Sequence, residues 1–149
     1  MMVATNPTPV EVLLIEDNLA DIRLTQECLK EAKVATRLTA IRDGTEALAY
    51  LRKQRGVTGP PRPDVILLDL GLPGMHGEAL LREVKDDADL RKIPVVILTS
   101  SSSRADIEEA YGAFANCFIT KPVDFDGFLK VVQSIEEFWF TVVKLPRAE

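Results

Sequence analysis

The sequence predicts an α/β fold in which a parallel sheet of five strands carries five helices, distributed over both faces. Apolar runs without polar alternation recur along the chain, and such runs are typical of parallel strands that are buried on both faces. Stretches of helical length separate these runs, as the crossovers between parallel strands require. The length of 149 residues and the apolar fraction of 46% suit one domain with a hydrophobic core of ordinary size.

Apolar runs, capping residues and a Pro/Gly segment set the boundaries of these elements. The predicted strands are, in chain order, Val10–Ile15, Leu38–Ile41, Val65–Leu68, Val95–Leu98 and Cys117–Ile119. The predicted helices are Leu19–Lys33, Gly44–Gln54, Gly77–Asp87, Ser103–Phe114 and Phe125–Val143. Asn18, Asp43 and Asp124 stand where helix-capping residues belong. The segment Arg55–Pro63 is predicted to be a loop rather than a domain linker, because the strands after it are needed to complete the sheet.

We expect residues 1–9 to form a flexible tail, residues 10–143 the folded domain and residues 144–149 a second tail.

Composition and charge exclude several classes of protein. The start lacks a secretory signal, and no apolar run approaches the ~20 residues of a membrane span, so a cytoplasmic location is predicted. The formal net charge of -5 argues against nucleic acid as a partner. Cys28 and Cys117 lack the short paired spacing of a zinc site and are predicted to be buried thiols.

Polar side chains that can carry chemistry cluster where the predicted strands end. Glu16 and Asp17 follow the first strand, Asp69 the third and Thr99 the fourth, while Lys121 lies just past the fifth. Parallel sheets place their sites at this edge, so the five side chains are expected to converge. Each pair of carboxylates about 4 Å apart would repel by on the order of 4 kcal/mol, so the cluster needs a cation. Carboxylate oxygens without nearby His or Cys ligands favour Mg²⁺ over zinc or copper.

The same cluster predicts phosphoryl chemistry. Lys121 supplies a fixed positive charge and Thr99 a hydroxyl donor, which are the groups needed to hold the oxygens of a phosphoryl group. Asp69 is the predicted nucleophile, because it begins the loop Leu70–Gly77, whose glycines allow close approach of a donor.

These residues resemble the response-regulator receiver family, and the resemblance covers the chain from about Val10 to Val143. Its marks are the acidic pair Glu16-Asp17, Asp69 within Val-Ile-Leu-Leu-Asp-Leu-Gly-Leu-Pro-Gly, the hydroxyl residue Thr99, and Lys121 followed by a proline. The resemblance implies a flavodoxin-like receiver fold with strand order 2-1-3-4-5.

The resemblance also implies the ligands of the cation. Asp17, the Asp69 side chain and the main-chain carbonyl of Gly71 are expected to bind Mg²⁺ directly, and Glu16 through water. His76 stands where relatives commonly carry an aspartate, and we predict that it is an exposed residue at a helix start.

By the same resemblance, Thr99, Lys121 and the amide of Ser100 are expected to hold the phosphoryl group. Thr99 and Phe118 would form the switch between two states of the surface, although Phe118 could equally be a permanently buried aromatic. Pro122 is expected to follow a cis peptide bond.

The predicted function is that of a single-domain response regulator in a two-component system or phosphorelay. Asp69 would accept a phosphoryl group from a histidine kinase, and the protein would signal through altered contacts with other proteins rather than turn over a substrate. The Pro/Gly loop and the segments Glu16–Asp21 and Ile135–Pro146 resemble the small regulators that are paired with phytochrome-type histidine kinases. A phosphotransfer protein is a possible downstream partner.

The last predicted helix carries more apolar side chains than one core face can bury. We predict that a homodimer contact covers the excess, the alternative being a tail that folds back on its own domain. The predicted contact residues are Phe138, Trp139, Phe140, Val143 and Leu145.

Three other functions compete with this interpretation. A degenerate receiver could act as a constitutive protein-binding module. A phosphatase of the haloacid dehalogenase type needs a second aspartate where this chain has Gly71. A flavodoxin-like electron carrier would bind a phosphate after the first strand, where Glu16 and Asp17 would repel it.

Overall fold

A computed structural model describes residues 9–31, 35–53, 61–99, 108, 117–120 and 133, with the backbone alone for 99 and 117–120. The strands are β1 (Val10–Ile15), β2 (Thr36–Ile41), β3 (Val65–Leu68), β4 (Val95–Thr99) and β5 (Cys117–Thr120). The helices are α1 (Leu19–Lys30), α2 (Gly44–Lys53), α3 (Gly77–Asp86) and a short 3-10 helix at Leu90–Lys92. Within these residues, no helix is long and apolar enough to cross a membrane.

The strands form one parallel sheet in the order β2-β1-β3-β4-β5, as the resemblance implied. The α/β fold class is therefore confirmed. The fourth and fifth predicted helices lie outside the described residues, apart from the helical residues Glu108 and Gln133.

The strands β1, β3 and β4 are buried on both faces because they are mostly apolar. Alternate residues of the strands, such as Ile15 and Leu68, pack on one face against α2 and α3. The intervening residues, such as Leu14 and Leu67, pack on the other face against side chains of α1. A parallel sheet sandwiched in this way holds its strand ends in fixed register, which positions the polar residues that follow each strand.

Side-chain caps start the helices where the sequence predicts them. Asn18 Oδ1 accepts a hydrogen bond from the amide of Asp21 at 3.1 Å, and Asp43 Oδ1 accepts from the amides of Thr45 and Glu46 at 2.8 and 3.0 Å. Both carboxamide and carboxylate oxygens satisfy amides that have no partner in the first turn of a helix. The predicted caps Asn18 and Asp43 are confirmed, and Asp124 lies outside the described residues.

The start of α2 packs directly on the loop that follows β3. The amide of Gly44 donates to the carbonyl of Pro73 at 3.2 Å, and a Cβ atom at Gly44 would overlap the carbonyl oxygen of Met75. Only glycine allows this approach of two backbones. The loop after β3 is thus tied to the turn after β2.

Cys28 is a buried thiol on α1, as predicted, whereas the side chain of Cys117 lies outside the description. Burial, with a smaller contribution from Glu27, raises the pKa of the Cys28 thiol from 9.0 to about 11. The unfolded chain therefore releases this proton at a lower pH than the folded protein does.

We expect the free energy of unfolding to fall between pH 9.0 and about 11 because of Cys28. The slope should approach about 1 kcal/mol per pH unit, and Cys28→Ala should remove this part of the pH dependence. Urea unfolding of both proteins across this range measures the difference. Parallel pH profiles for the two proteins would contradict the assignment.

Candidate functional site

Three carboxylates meet at the carboxyl edge of the sheet, where β1 and β3 end side by side. Glu16, Asp17 and Asp69 each offer an oxygen, and the three oxygens lie within 4.8 Å of one another. The pairing of Ile15 with Leu68 dictates this meeting, and the amide of Asp69 donates to the carbonyl of Ile15 at 3.0 Å. The parallel register therefore brings together residues that are far apart in the sequence.

The cluster is electrostatically costly unless a cation balances it. Each pair of carboxylates at about 4.8 Å repels by about 3 kcal/mol at an effective dielectric of 20. Glu16 is 2% exposed, while Asp17 and Asp69 are partly buried, so water screens the charges incompletely. An all-oxygen set of this kind fits a hard divalent ion such as Mg²⁺.

A tight turn from β1 into α1 sets the positions of the acidic pair. The amide of Glu16 donates to the carbonyl of Ile41 at 3.0 Å, and Glu16 Oε2 accepts from the amide of Asn18 at 3.1 Å. The Asp17 carboxylate accepts no hydrogen bond from the part of the chain that the structure describes. Its oxygens are available to a cation or to water.

The loop after Asp69 stays close to α3. Gly77 donates its amide to the carbonyl of Leu70 at 3.0 Å, and a Cβ atom at Gly77 would lie 2.6 Å from the carbonyl oxygen of Asp69. Helix α3 therefore begins against the backbone of Asp69 itself. In contrast, a Cβ atom at Gly71 would meet nothing within 4 Å, so this residue borders open space.

An open pocket of about 530 Å³ lies in front of the acidic cluster. It is large enough to admit a phosphoryl donor together with bound water. Its lining residues are Glu16, Asp17, Asn18, Leu19, Ala20, Asp21, Arg42 and Asp69.

Arg42 is a basic residue of the pocket that the sequence did not predict as part of the site. Its Nε and Nη2 atoms donate to the carbonyl oxygen of Asp17 at 3.3 and 2.9 Å. The available signal was a basic residue directly after the second strand, at the same edge as the acidic residues. The contact spans 25 residues and could not be read from local spacing.

His76 caps α3, in agreement with the prediction that it is an exposed helix-start residue. Its Nδ1 atom accepts from the amide of Glu78 at 3.4 Å, and the residue is exposed.

Of the residues that are predicted to bind the phosphoryl group or to form the switch, the structure describes only the backbone of Thr99 and Phe118. Thr99 ends β4 and pairs with Thr120, and Phe118 pairs with Ile97, so both switch candidates lie on neighbouring strands. The predicted Ser100, Lys121 and the cis bond before Pro122 lie outside the described residues. So do the predicted dimer residues, which are Phe138, Trp139, Phe140, Val143 and Leu145.

Comparison with known proteins decides the family. The family model for the response regulator receiver domain matches residues 12–133. The chain belongs to the response regulator receiver domain family. Receivers are signalling proteins that act with a partner kinase in two-component systems, and the matched region contains the whole acidic cluster.

This receiver is similar to regulators from phytochrome signalling. It is 44% identical to "Response regulator Rcp1" of Synechocystis sp. over 144 residues, which cover 97% of each chain. A phosphorylated cyanobacterial phytochrome response regulator, RcpA, superposes with a TM-score of 0.86 at 44% identity, covering 94% of this chain and 100% of RcpA. The Mn²⁺-bound form of Rcp1 gives a TM-score of 0.84 at 44% identity, and the match covers 93% of this chain and 100% of the Rcp1 chain.

Proposed function

We propose that the protein is a response regulator that accepts a phosphoryl group on Asp69 from a histidine kinase in a Mg²⁺-dependent reaction. The observation that carries the proposal is the meeting of Asp69 with Glu16 and Asp17, whose carboxylate oxygens lie within 4.8 Å of one another. Nucleophile and cation ligands therefore occupy one open pocket.

The residues that would hold the cation fit a hard divalent ion. Asp17, Asp69 and the carbonyl of Gly71 would bind it directly, and Glu16 would bind through water. The cation supplies positive charge that balances the incoming phosphoryl group. Support comes from the Asp17 carboxylate, which accepts no hydrogen bond from the described residues, and from the Mn²⁺-bound form of the relative Rcp1.

The chemistry is a transfer from nitrogen to oxygen. A carboxylate oxygen of Asp69 attacks phosphorus, and a new P–O bond forms as the P–N bond of a phosphohistidine breaks. The electron pair stays on the imidazole, which takes up a proton from water. Thr99, Lys121 and the amide of Ser100, which stand at or directly after β4 and β5 in the sequence, would hold the phosphoryl oxygens.

The phosphorylated state would be read out by other proteins. Thr99 and Phe118 form the proposed switch, because a phosphoryl group on Asp69 would attract the Thr99 hydroxyl and leave room for the aromatic ring. The adjacent positions of β4 and β5 in the sheet support this coupling. In this proposal the protein acts in signalling and does not turn over an external substrate.

The partner kinase is proposed to be of the phytochrome type. The similarity to Rcp1 and RcpA along nearly the whole chain supports it. The folded domain, residues 10–143, would be cytoplasmic and would form a homodimer through its last predicted helix, with a phosphotransfer protein as a further partner.

The test is direct labelling of the purified protein. Incubation with Mg²⁺ and a small phosphodonor should give a base-labile adduct, which peptide mass spectrometry maps to Asp69. Chelation of the metal should prevent it. A protein that stays unmodified with both reagents in excess would overturn the proposal and favour a constitutive binding module.

A further inference from the structure

Arg42 joins the end of β2 to the turn that carries the acidic pair. Its guanidinium donates two hydrogen bonds to one acceptor, the carbonyl oxygen of Asp17, at 3.3 and 2.9 Å. Within the described part of the chain, the guanidinium has no other hydrogen-bond or ion-pair partner. Two N–H donors of one planar guanidinium on a single carbonyl oxygen fix the orientation of that carbonyl as well as its distance from the arginine.

The bond lies where the backbone pairing of β1 with β2 stops. The last main-chain hydrogen bond between the two segments runs from the amide of Glu16 to the carbonyl of Ile41. Arg42 follows Ile41 and supplies the next donor by its side chain, reaching the carbonyl of Asp17. The side-chain bond therefore extends the attachment of the turn by one residue beyond the sheet.

The held carbonyl belongs to the residue whose carboxylate faces Glu16 and Asp69. The amide of Asn18 donates to Glu16 Oε2 at 3.1 Å, so both polar groups of the peptide that joins Asp17 to Asn18 are held. We infer that Arg42 is a positioning residue for the cation site, which holds the main chain of Asp17 so that its carboxylate points to the cation. This inference rests on the proposed function.

Arg42 also brings a positive charge to a site that would bind a cation. Its positioning of Asp17 and its charge therefore have opposite effects on the affinity for the cation. Positioning strengthens cation binding, whereas charge repulsion weakens it. Arg42→Lys separates them, because lysine keeps the charge and loses the planar fork. Arg42→Met removes both.

The experiment measures the affinity of the full chain for Mn²⁺ by isothermal titration calorimetry. We expect Arg42→Lys to weaken binding by about 3- to 10-fold, since supporting contacts of metal ligands typically affect affinity on this scale or above. Arg42→Met should also bind more weakly than the unmodified protein. Amide exchange at Asn18 in the metal-free protein should become faster in both variants.

The matched control is Arg37→Lys. Arg37 lies on β2, the strand that Arg42 follows, is also exposed, and pairs with Glu11 at 3.1 Å. Its affinity for Mn²⁺ should stay within about twofold of the unmodified protein.

Three results would overturn the inference. One is an affinity of Arg42→Lys within about twofold of the unmodified protein, and another is tighter binding by Arg42→Met, which would mean that repulsion dominates. The third is loss of the thermal unfolding transition in the variants, which would assign Arg42 to the whole fold. Failure of the unmodified protein to bind Mn²⁺ would instead count against the proposed function.

Discussion

Asp69→Asn is expected to abolish phosphorylation by a small phosphodonor, with a fall in rate on the order of 1000-fold or more. The amide oxygen of asparagine carries no full negative charge and is a poor nucleophile. The substitution also replaces one of the three carboxylates whose oxygens meet within 4.8 Å by a neutral amide, so the cation would be held less tightly. Intact-mass spectrometry after incubation with Mg²⁺ and the donor measures the labelled fraction.

The control for this variant is Asp86→Asn. Asp86 is an exposed aspartate at the end of α3, so the change in charge is the same but lies outside the acidic cluster. Labelling of this variant should equal that of the unmodified protein. Labelling of Asp69→Asn at the unmodified rate would show that another residue is the acceptor.

Gly77→Ala is expected to lower the free energy of unfolding by about 2–3 kcal/mol. Its Cβ atom would lie 2.6 Å from both the carbonyl oxygen of Asp69 and the Cα atom of Leu70, which are backbone atoms that cannot rotate away. Helix α3 or the loop must shift, and the shift displaces Asp69. Urea unfolding followed by circular dichroism gives the stability, and Mn²⁺ titration should show weaker binding as well.

The comparison variant is Gly71→Ala, in the same loop. A Cβ atom there would meet nothing within 4 Å, so its stability should stay within about 0.5 kcal/mol of the unmodified protein. Equal losses of unfolding free energy in the two variants would mean that a methyl group anywhere in this loop is destabilising. The contact of Gly77 with Asp69 would then not be the cause.

The sequence predicts the sheet and the acidic cluster because both depend on local patterns. Short apolar runs such as Val65–Leu68, bounded by turn-forming residues, are typical of buried strands, and the acidic residues stand directly after them. Parallel pairing then brings Asp17 and Asp69 together without further information. The same reasoning located the caps Asn18 and Asp43, whose side chains bond within three residues.

Edge and surface features were harder to predict. β2 begins at Thr36 rather than Leu38, because this edge strand is only partly buried and polar residues are compatible with it. The 3-10 helix at Leu90–Lys92 has no long periodic pattern and was not predicted. The bond from Arg42 to Asp17 depends on a side-chain conformation and on the packing of two turns, neither of which spacing encodes.

The backbone contact between Gly44 and Met75 gives the acceptor loop a mechanical linkage to α2. Two main chains that touch without intervening side chains have no soft atoms to absorb a displacement. We therefore expect a movement in the segment that follows Asp69 to displace the first turn of α2. Phosphorylation of Asp69 would then be felt at the β2 edge of the sheet, on the side remote from β5.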